Sequence, residues 1–185
     1  MTHPKILLRQ ASATIFAALL PCLGGHAQER CQAFNLETLP KREVRAVWLT
    51  TLSNLDWPKG YATTQEGIER QKRQLTEILD RYAEANINTV LFQARVRATT
   101  TYPSALEPWD RCLTGQEGRA PGYDPLRFAI EECHKRGMEI HAWLATIPCG
   151  PWTSLGCRRL RAKGLRLRKL DGAGYLDPSD ERVAP

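Results

Sequence analysis

Apolar positions change their period several times along this chain, and each change marks an element. From Glu43 to Thr51 the run Glu-Val-Arg-Ala-Val-Trp-Leu-Thr-Thr is rich in β-branched and aromatic residues, and turn residues follow at Asn54 to Gly60. That combination predicts a strand. Ile68, Leu75, Ile78, Leu79 and Tyr82 then recur at helical spacing, with Thr63 and Glu66 fitting a capping box ahead of them and Asn86 breaking the pattern behind. Thr89 to Gln93 is a short apolar run, as expected of a strand covered on both faces. A long loop-like stretch follows, punctuated by Pro103, Pro108, Gly115, Gly118, Pro121 and Gly122. Structureless connections of that length are uncommon and usually functional. Asp124-Pro125 then offers an N-cap and a first-turn proline, Leu126, Ala129, Ile130 and Cys133 share one helical face, and Gly137 closes the helix. Glu139 to Ala145 reads as a third strand.

Strands alternating with helix-length crossovers imply a parallel sheet. The connections after strands are long and those after helices are very short, an asymmetry that suits a barrel whose working loops sit at the strand C-terminal ends. The predicted fold class is therefore α/β, about three βα units opening a (β/α)8 TIM-type barrel. It is incomplete, because such barrels take ~250 residues and the chain has 185. A dinucleotide-binding sheet is disfavoured, since no Gly-x-Gly-x-x-Gly follows the first strand. Ser-Asp-Glu-Arg-Val-Ala-Pro at the end reads as the start of another helix, and a chain that continues past Pro185 is expected over a smaller fold.

The N-terminus follows different rules. Lys5 and Arg9 form a basic region, Ala11 to Leu23 is a short apolar segment, and Gly25-His26-Ala27 places small residues where a signal peptidase cuts. We therefore read residues 1–27 as a signal peptide, 28–42 as an irregular lead-in and 43–185 as the partial barrel. Export to the periplasm or the medium is expected; Pro21 before Cys22 argues against lipoprotein anchoring. Loss of Lys5 and Arg9 lowers the formal charge from +6 to +4, which is weak evidence for a nucleic-acid partner, and none is expected. No stretch of the mature chain is apolar enough to span a membrane. Cys31, Cys112, Cys133, Cys149 and Cys157 remain, an odd number with no Cys-x-x-Cys among them. Neither a metal site nor a cofactor is expected.

Residues at and beyond the strand C-terminal ends are the candidates for chemistry: Asp56 and Trp57 after the first, Gln93, Arg95, Arg97 and Tyr102 after the second, His141 and Trp143 on the third. Aromatic faces cover sugar C–H surfaces, and planar hydrogen-bonding groups hold sugar hydroxyls. These residues sit among Val-Arg-Ala-Val-Trp-Leu-Thr-Thr (44–51), Asn-Leu-Asp-Trp-Pro (54–58), Asn-Thr-Val-Leu-Phe-Gln-Ala-Arg (88–95), Tyr-Pro-Ser (102–104) and Glu-Pro-Trp (107–109). Leu-Thr-Gly (113–115), Gly-Tyr-Asp-Pro-Leu (122–126), His-Lys-Arg-Gly (134–137), His-Ala-Trp (141–143) and Tyr-Leu-Asp-Pro (175–178) continue the series. In that order the motifs resemble the glycosyl-hydrolase-like 10 family of exported bacterial (β/α)8-barrel proteins, over residues 43 to 178. The resemblance implies a glycosidase acting on a polysaccharide or oligosaccharide, with bacterial cell-wall glycan as the leading candidate. It also implies that the acid–base carboxylates follow a later strand, in an Asp-Gly-x-x-x-Asp-Asp-like segment that does not occur here. The eight residues above would then be substrate-binding wall. Asp56 also reads as a turn residue and Asp177 as a helix cap.

Arg158 to Lys169 stands apart, with Arg158, Arg159, Arg161, Lys163, Arg166, Arg168 and Lys169 interleaved with leucines. It reads first as an amphipathic or solvated surface segment, and otherwise as an anion-binding patch. The alternative to a hydrolase is accordingly a non-catalytic carbohydrate- or anion-binding envelope protein.

Overall fold

The computed structural model describes residues 43–183. The expected signal peptide and lead-in, with Cys22 and Cys31, lie outside them. Strands β1 (Ala46–Leu49), β2 (Thr89–Arg95) and β3 (Glu139–Leu144) form a parallel sheet in the order β1-β2-β3. Helix α1 (Gln65–Glu84) joins the first two strands, and α3 (Pro125–Lys135) joins the second to the third. The long connection between β2 and α3 holds only a short helix, α2 (Arg111–Thr114).

Local chemistry accounts for the boundaries. The Thr64 hydroxyl caps α1 by accepting from the Gly67 N–H at 3.1 Å, one residue later than the Thr63 box expected; Glu66 remains in the first turn, where the helix dipole favours it. Beyond α1, Asn86 takes a left-handed φ of 58°, which asparagine tolerates better than most residues. The Asp124 carboxylate caps α3, Pro125 follows, and Gly137 at φ 67° turns the chain into β3.

Side chains alternate across the sheet. The register sets Val47 beside Val90, Leu49 beside Phe92, and Ile140 beside Val90. This face packs with Leu75 and Leu79 of α1 and Ala129 and Cys133 of α3 in the main core. The opposite face carries Trp48, Leu91, Gln93, His141 and Trp143, and Trp48 and Trp143 meet edge to face at 4.8 Å. Trp48 is 57% exposed. Among the described residues no strand pairs with the outer edges of β1 or β3, so the sheet stays open and no barrel closes.

After β3 the alternation of strand and helix that the N-terminal pattern leads one to expect gives way to a different architecture. Strands β4 (Pro148–Pro151), β5 (Leu167–Leu170) and β6 (Ala173–Leu176) form an antiparallel sheet in the order β4-β6-β5, and α4 (Leu155–Ala162) lies between β4 and β5 in sequence. Asp171 and Gly172 make the turn from β5 to β6 with φ of 47° and 77°. Asp-Gly is the pair that a two-residue hairpin favours, because both positions need positive φ. The basic segment is therefore helix and strand: Gly156, Cys157 and Leu160 of α4 are buried while Arg158 and Arg159 face outward. Gly174 is tightly enclosed, since a Cβ there would come within 2.6 Å of the Cys157 sulfur. Residues 178–183 are turns, not the expected helix. Asp177 caps nothing; its carboxylate accepts from Arg168 and from the Ser179 N–H and hydroxyl.

Candidate functional site

A cavity of about 620 Å³ opens among the loops that leave the C-terminal ends of β1 and β2, a usual size for a small-molecule site. Its walls come from four stretches of chain. Leu52, Ser53, Asn54 and Tyr61 follow β1, and Val96, Arg97 and Thr99 follow β2. Asp110, Arg111, Cys112 and Glu117 belong to α2 and its flanks, and Pro151, Thr153 and Ser154 lead into α4.

Each wall is fixed by identifiable bonds. Gln93, two residues before the end of β2, has its side-chain oxygen accepting from the Thr50 hydroxyl at 2.6 Å and from the Thr51 and Leu52 N–H groups at 2.9 Å, which pins the first loop. The Asn54 amide donates to the carbonyls of Pro58 and Cys112, tying that loop to α2. Beyond β2 the chain folds back on itself: Val96 N–H reaches the Thr99 carbonyl at 3.0 Å and Thr101 N–H the Ala94 carbonyl at 2.9 Å. Arg97 sits at the tip of that turn, next to Ala98 at φ 56°. The Asp110 carboxylate accepts from the Thr99 hydroxyl and the Cys112 N–H, capping α2. Glu117 accepts from the Leu155 and Gly156 N–H groups at 3.0 and 2.9 Å, and the Ser154 hydroxyl from Cys157 N–H, which satisfies most of the open donors of α4.

Among the groups that line the cavity, two carboxylates are thus engaged in holding walls. Burial first, and then the neighbouring Asp110, push the Cys112 thiol well above its usual range, so it stays protonated and is a poor nucleophile. The guanidiniums of Arg97 and Arg111 have no hydrogen-bond or ion-pair partner among the described residues, although the Arg111 carbonyl accepts from Gly115 N–H. Tyr61 is 48% exposed and lies with its ring against Gly115, where a Cβ would stand 3.2 Å from the ring. Gly115 has φ 80°, so glycine is favoured there on both counts.

The structure distributes the eight sequence candidates over different surroundings. Arg97 lines the cavity. Gln93 is buried and orders the cavity's first loop, while the Asp56 carboxylate accepts from Thr50 N–H at 2.8 Å within the same turn. Trp57 is fully buried, its indole N–H donating to the Gln71 carbonyl and its ring 5.9 Å from Phe92. Arg95 is buried, paired with Glu107 through both Nε and Nη2 and bonded to the carbonyls of Ala145 and Thr146. Tyr102 packs at the margin of the main core. His141 and Trp143 share the open face of the sheet with Trp48, His141 lying 3.4 Å from Glu139. Tyr61, Asp110, Arg111 and Glu117 were not singled out from the sequence. Asp110 carried a signal: Asp-Arg-Cys-Leu-Thr-Gly is a cap, one helical turn and a left-handed exit.

Two comparisons with known proteins agree. The profile of the Glycosyl hydrolase-like 10 family matches residues 43–151, more than half of the chain. Glycosyl hydrolase YngK of Bacillus subtilis (strain 168) is 44% identical over 102 residues, which is 55% of this chain and 19% of that protein. Glycosyl hydrolase DigH of Escherichia coli (strain K12) is 40% identical over 104 residues, 54% of this chain and 24% of that protein. The matched stretch thus spans about a fifth to a quarter of these curated relatives. The family match includes β1 to β3 and the cavity's first three walls, and it ends at Pro151, the last residue of β4.

Proposed function

Because this chain belongs to the glycosyl hydrolase-like 10 family, we propose that it forms the N-terminal, sugar-binding part of an exported (β/α)8-barrel glycoside hydrolase acting on a polysaccharide, with bacterial cell-wall glycan the leading candidate. The observation that carries this reading is the cavity at the strand C-terminal ends, where barrel enzymes keep their sites. It combines an accessible aromatic ring, hydroxyl and amide groups, and two guanidiniums without partners among the described residues. That set suits a ligand with alternating C–H faces and hydroxyls.

The roles divide on physical grounds. A glycosidase needs one protonated carboxyl and one ionised carboxylate flanking the scissile bond. Asp110 and Glu117 face the cavity but are committed to backbone and hydroxyl donors of the walls. This chain then supplies binding surface, and the acid–base pair comes from a later strand of the complete barrel. The engaged carboxylates also favour the second reading, a carbohydrate-binding envelope protein on the same scaffold.

Two measurements separate these readings. Calorimetric titration of residues 28–185 with soluble cell-wall glycan and chito-oligosaccharides is expected to give binding. Digestion of insoluble cell-wall glycan by the full-length gene product is expected to release new reducing ends, and to stop when a later-strand carboxylate is replaced. Binding without release would leave the binding protein; neither result would sink both readings.

A further inference from the structure

We propose that the cavity selects a saccharide bearing a single carboxylate, which Arg97 and Arg111 hold between them. The inference rests on the saccharide reading of the same cavity and adds the charge of its ligand. Arg97 is presented, not merely exposed. It occupies the tip of the Val96–Thr99 turn, and its aliphatic stem lies across Gly150, where a Cβ would come within 3.2 Å of the Arg97 Cβ and 3.5 Å of its Cδ. Gly150 has φ 76°, so backbone and space both call for glycine beneath the arginine. Arg111 lines the same cavity from the first residue of α2, whose cap Asp110 is fixed by Thr99 and Cys112.

Three other arginines of this half of the fold are paired with carboxylates: Arg95 with Glu107, Arg168 with Asp177, Arg182 with Asp180. Among the described residues, Arg97 and Arg111 line the cavity with no carboxylate bonded to either guanidinium. A guanidinium fork matches a planar carboxylate with two parallel hydrogen bonds. The cavity's charges also limit the ligand's. Asp110 and Glu117 balance the two arginines formally, so a monoanion is accommodated, whereas a dianionic or polyanionic group meets two fixed carboxylates as well as two cations.

The test uses three chito-oligosaccharides of one length, unmodified, carboxymethylated and sulfated, titrated into the mature chain. The carboxymethylated form is expected to bind about tenfold more tightly than the unmodified one, the scale of one charge-assisted contact. R97Q and R111Q should each remove that preference, lowering affinity for the carboxymethylated form about tenfold more than for the unmodified one. R158Q/R159Q, on the outward face of α4, should keep it. Equal affinity for unmodified and carboxymethylated forms overturns the proposal while leaving the saccharide reading intact. Sulfated ligand binding as tightly, or loss of preference in R158Q/R159Q, overturns it in favour of general anion attraction. No binding of any of the three overturns both this proposal and the saccharide reading beneath it.

Discussion

The two sheets of this molecule are built on different physics. The parallel sheet is held by apolar burial: Leu49, Val90 and Phe92 meet Leu75, Leu79, Trp57 and Leu113 in one continuous core. The antiparallel sheet has a second, much smaller cluster of Ala98, Cys149, Cys157 and Leu160, with leucines at its margin. Its four-residue strands lean on carboxylates instead. Asp177 takes Arg168 and Ser179, Asp180 takes Arg182 and the Arg166 N–H, and Glu117 takes the first turn of α4. The family match covers the first sheet and ends in the first strand of the second. A long-range apolar core resists small perturbations, whereas a set of charge-assisted contacts responds to pH and salt. The cavity lies where the two meet, with walls from both.

The largest effect should come from the apolar side. Phe92 is fully buried at the centre of the main core. Phe92→Ala is expected to cost about 4 kcal/mol, through lost transfer free energy and the cavity left behind. Thermal denaturation should show a midpoint lowered by more than ~10 °C, with amides of β1, β2 and β3 losing exchange protection together. A loss confined to β2 would mean that the parallel sheet is not one cooperative unit.

Next in size is the link between the sheets. Arg95 leaves the end of β2, pairs with Glu107 of the long loop at 2.6 Å, and bonds to Ala145 and Thr146 on the approach to β4. Both side chains are nearly buried, at 11% and 12% exposure. Glu107→Gln leaves a guanidinium short of its counter-charge, and about 3 kcal/mol is expected to be lost. Peptide-resolved hydrogen exchange should show the loss first in the Ala145 connection and β4, with β1 little changed. Equal loss in β1 would place Glu107 in the main core's cooperative unit and erase the contrast drawn above.

These contacts also explain what could be read from the sequence. Elements bounded by local chemistry were legible: Asp124-Pro125, Gly137 and Asn86 each act through their own backbone. So was the mixed α/β class, because periodicity reports which faces are buried. The second sheet was not read, although Asp171-Gly172 between two short apolar runs is a hairpin signal; the density of arginines drew attention to charge instead. The site was legible only in its general place. Trp57, Gln93, Arg95 and Arg97 are all residue types that sugars use, and the sequence does not distinguish a buried ring or a paired guanidinium from an open one. That difference is set by partners distant in sequence, such as Gln71 for Trp57 and Glu107 for Arg95. Tyr61 and Arg111 gave no local cue, since their roles depend on Gly115 and on the fold of the long loop.

The smallest effect, and the most selective, should be acid sensitivity of the antiparallel sheet. Hydrogen bonds from Arg168, then from Ser179, hold the Asp177 carboxyl down at about 2. The Arg182 side chain, then the Arg166 N–H, hold Asp180 well below the usual carboxylate range. A carboxylate depressed in the folded state contributes stability that is complete above its unfolded value of ~4 and is lost as pH falls through its folded value. Protection of β5 and β6 amides, corrected for intrinsic exchange, should therefore decline from pH 4 toward pH 2. Among the described residues the main core has one comparable group near it, Glu132, lowered by Lys135 and then Arg136, so β1 and β2 should respond less. Asp177→Asn should flatten part of the decline. Salt should reduce the Arg168 contribution, because that side chain is 69% exposed, and leave the backbone bond from Arg166 to Asp180 largely untouched. If β5 and β6 keep full protection at pH 2.5 while β1 and β2 lose theirs, the polar contacts are ornamental, and the second sheet is held by its four small buried residues after all.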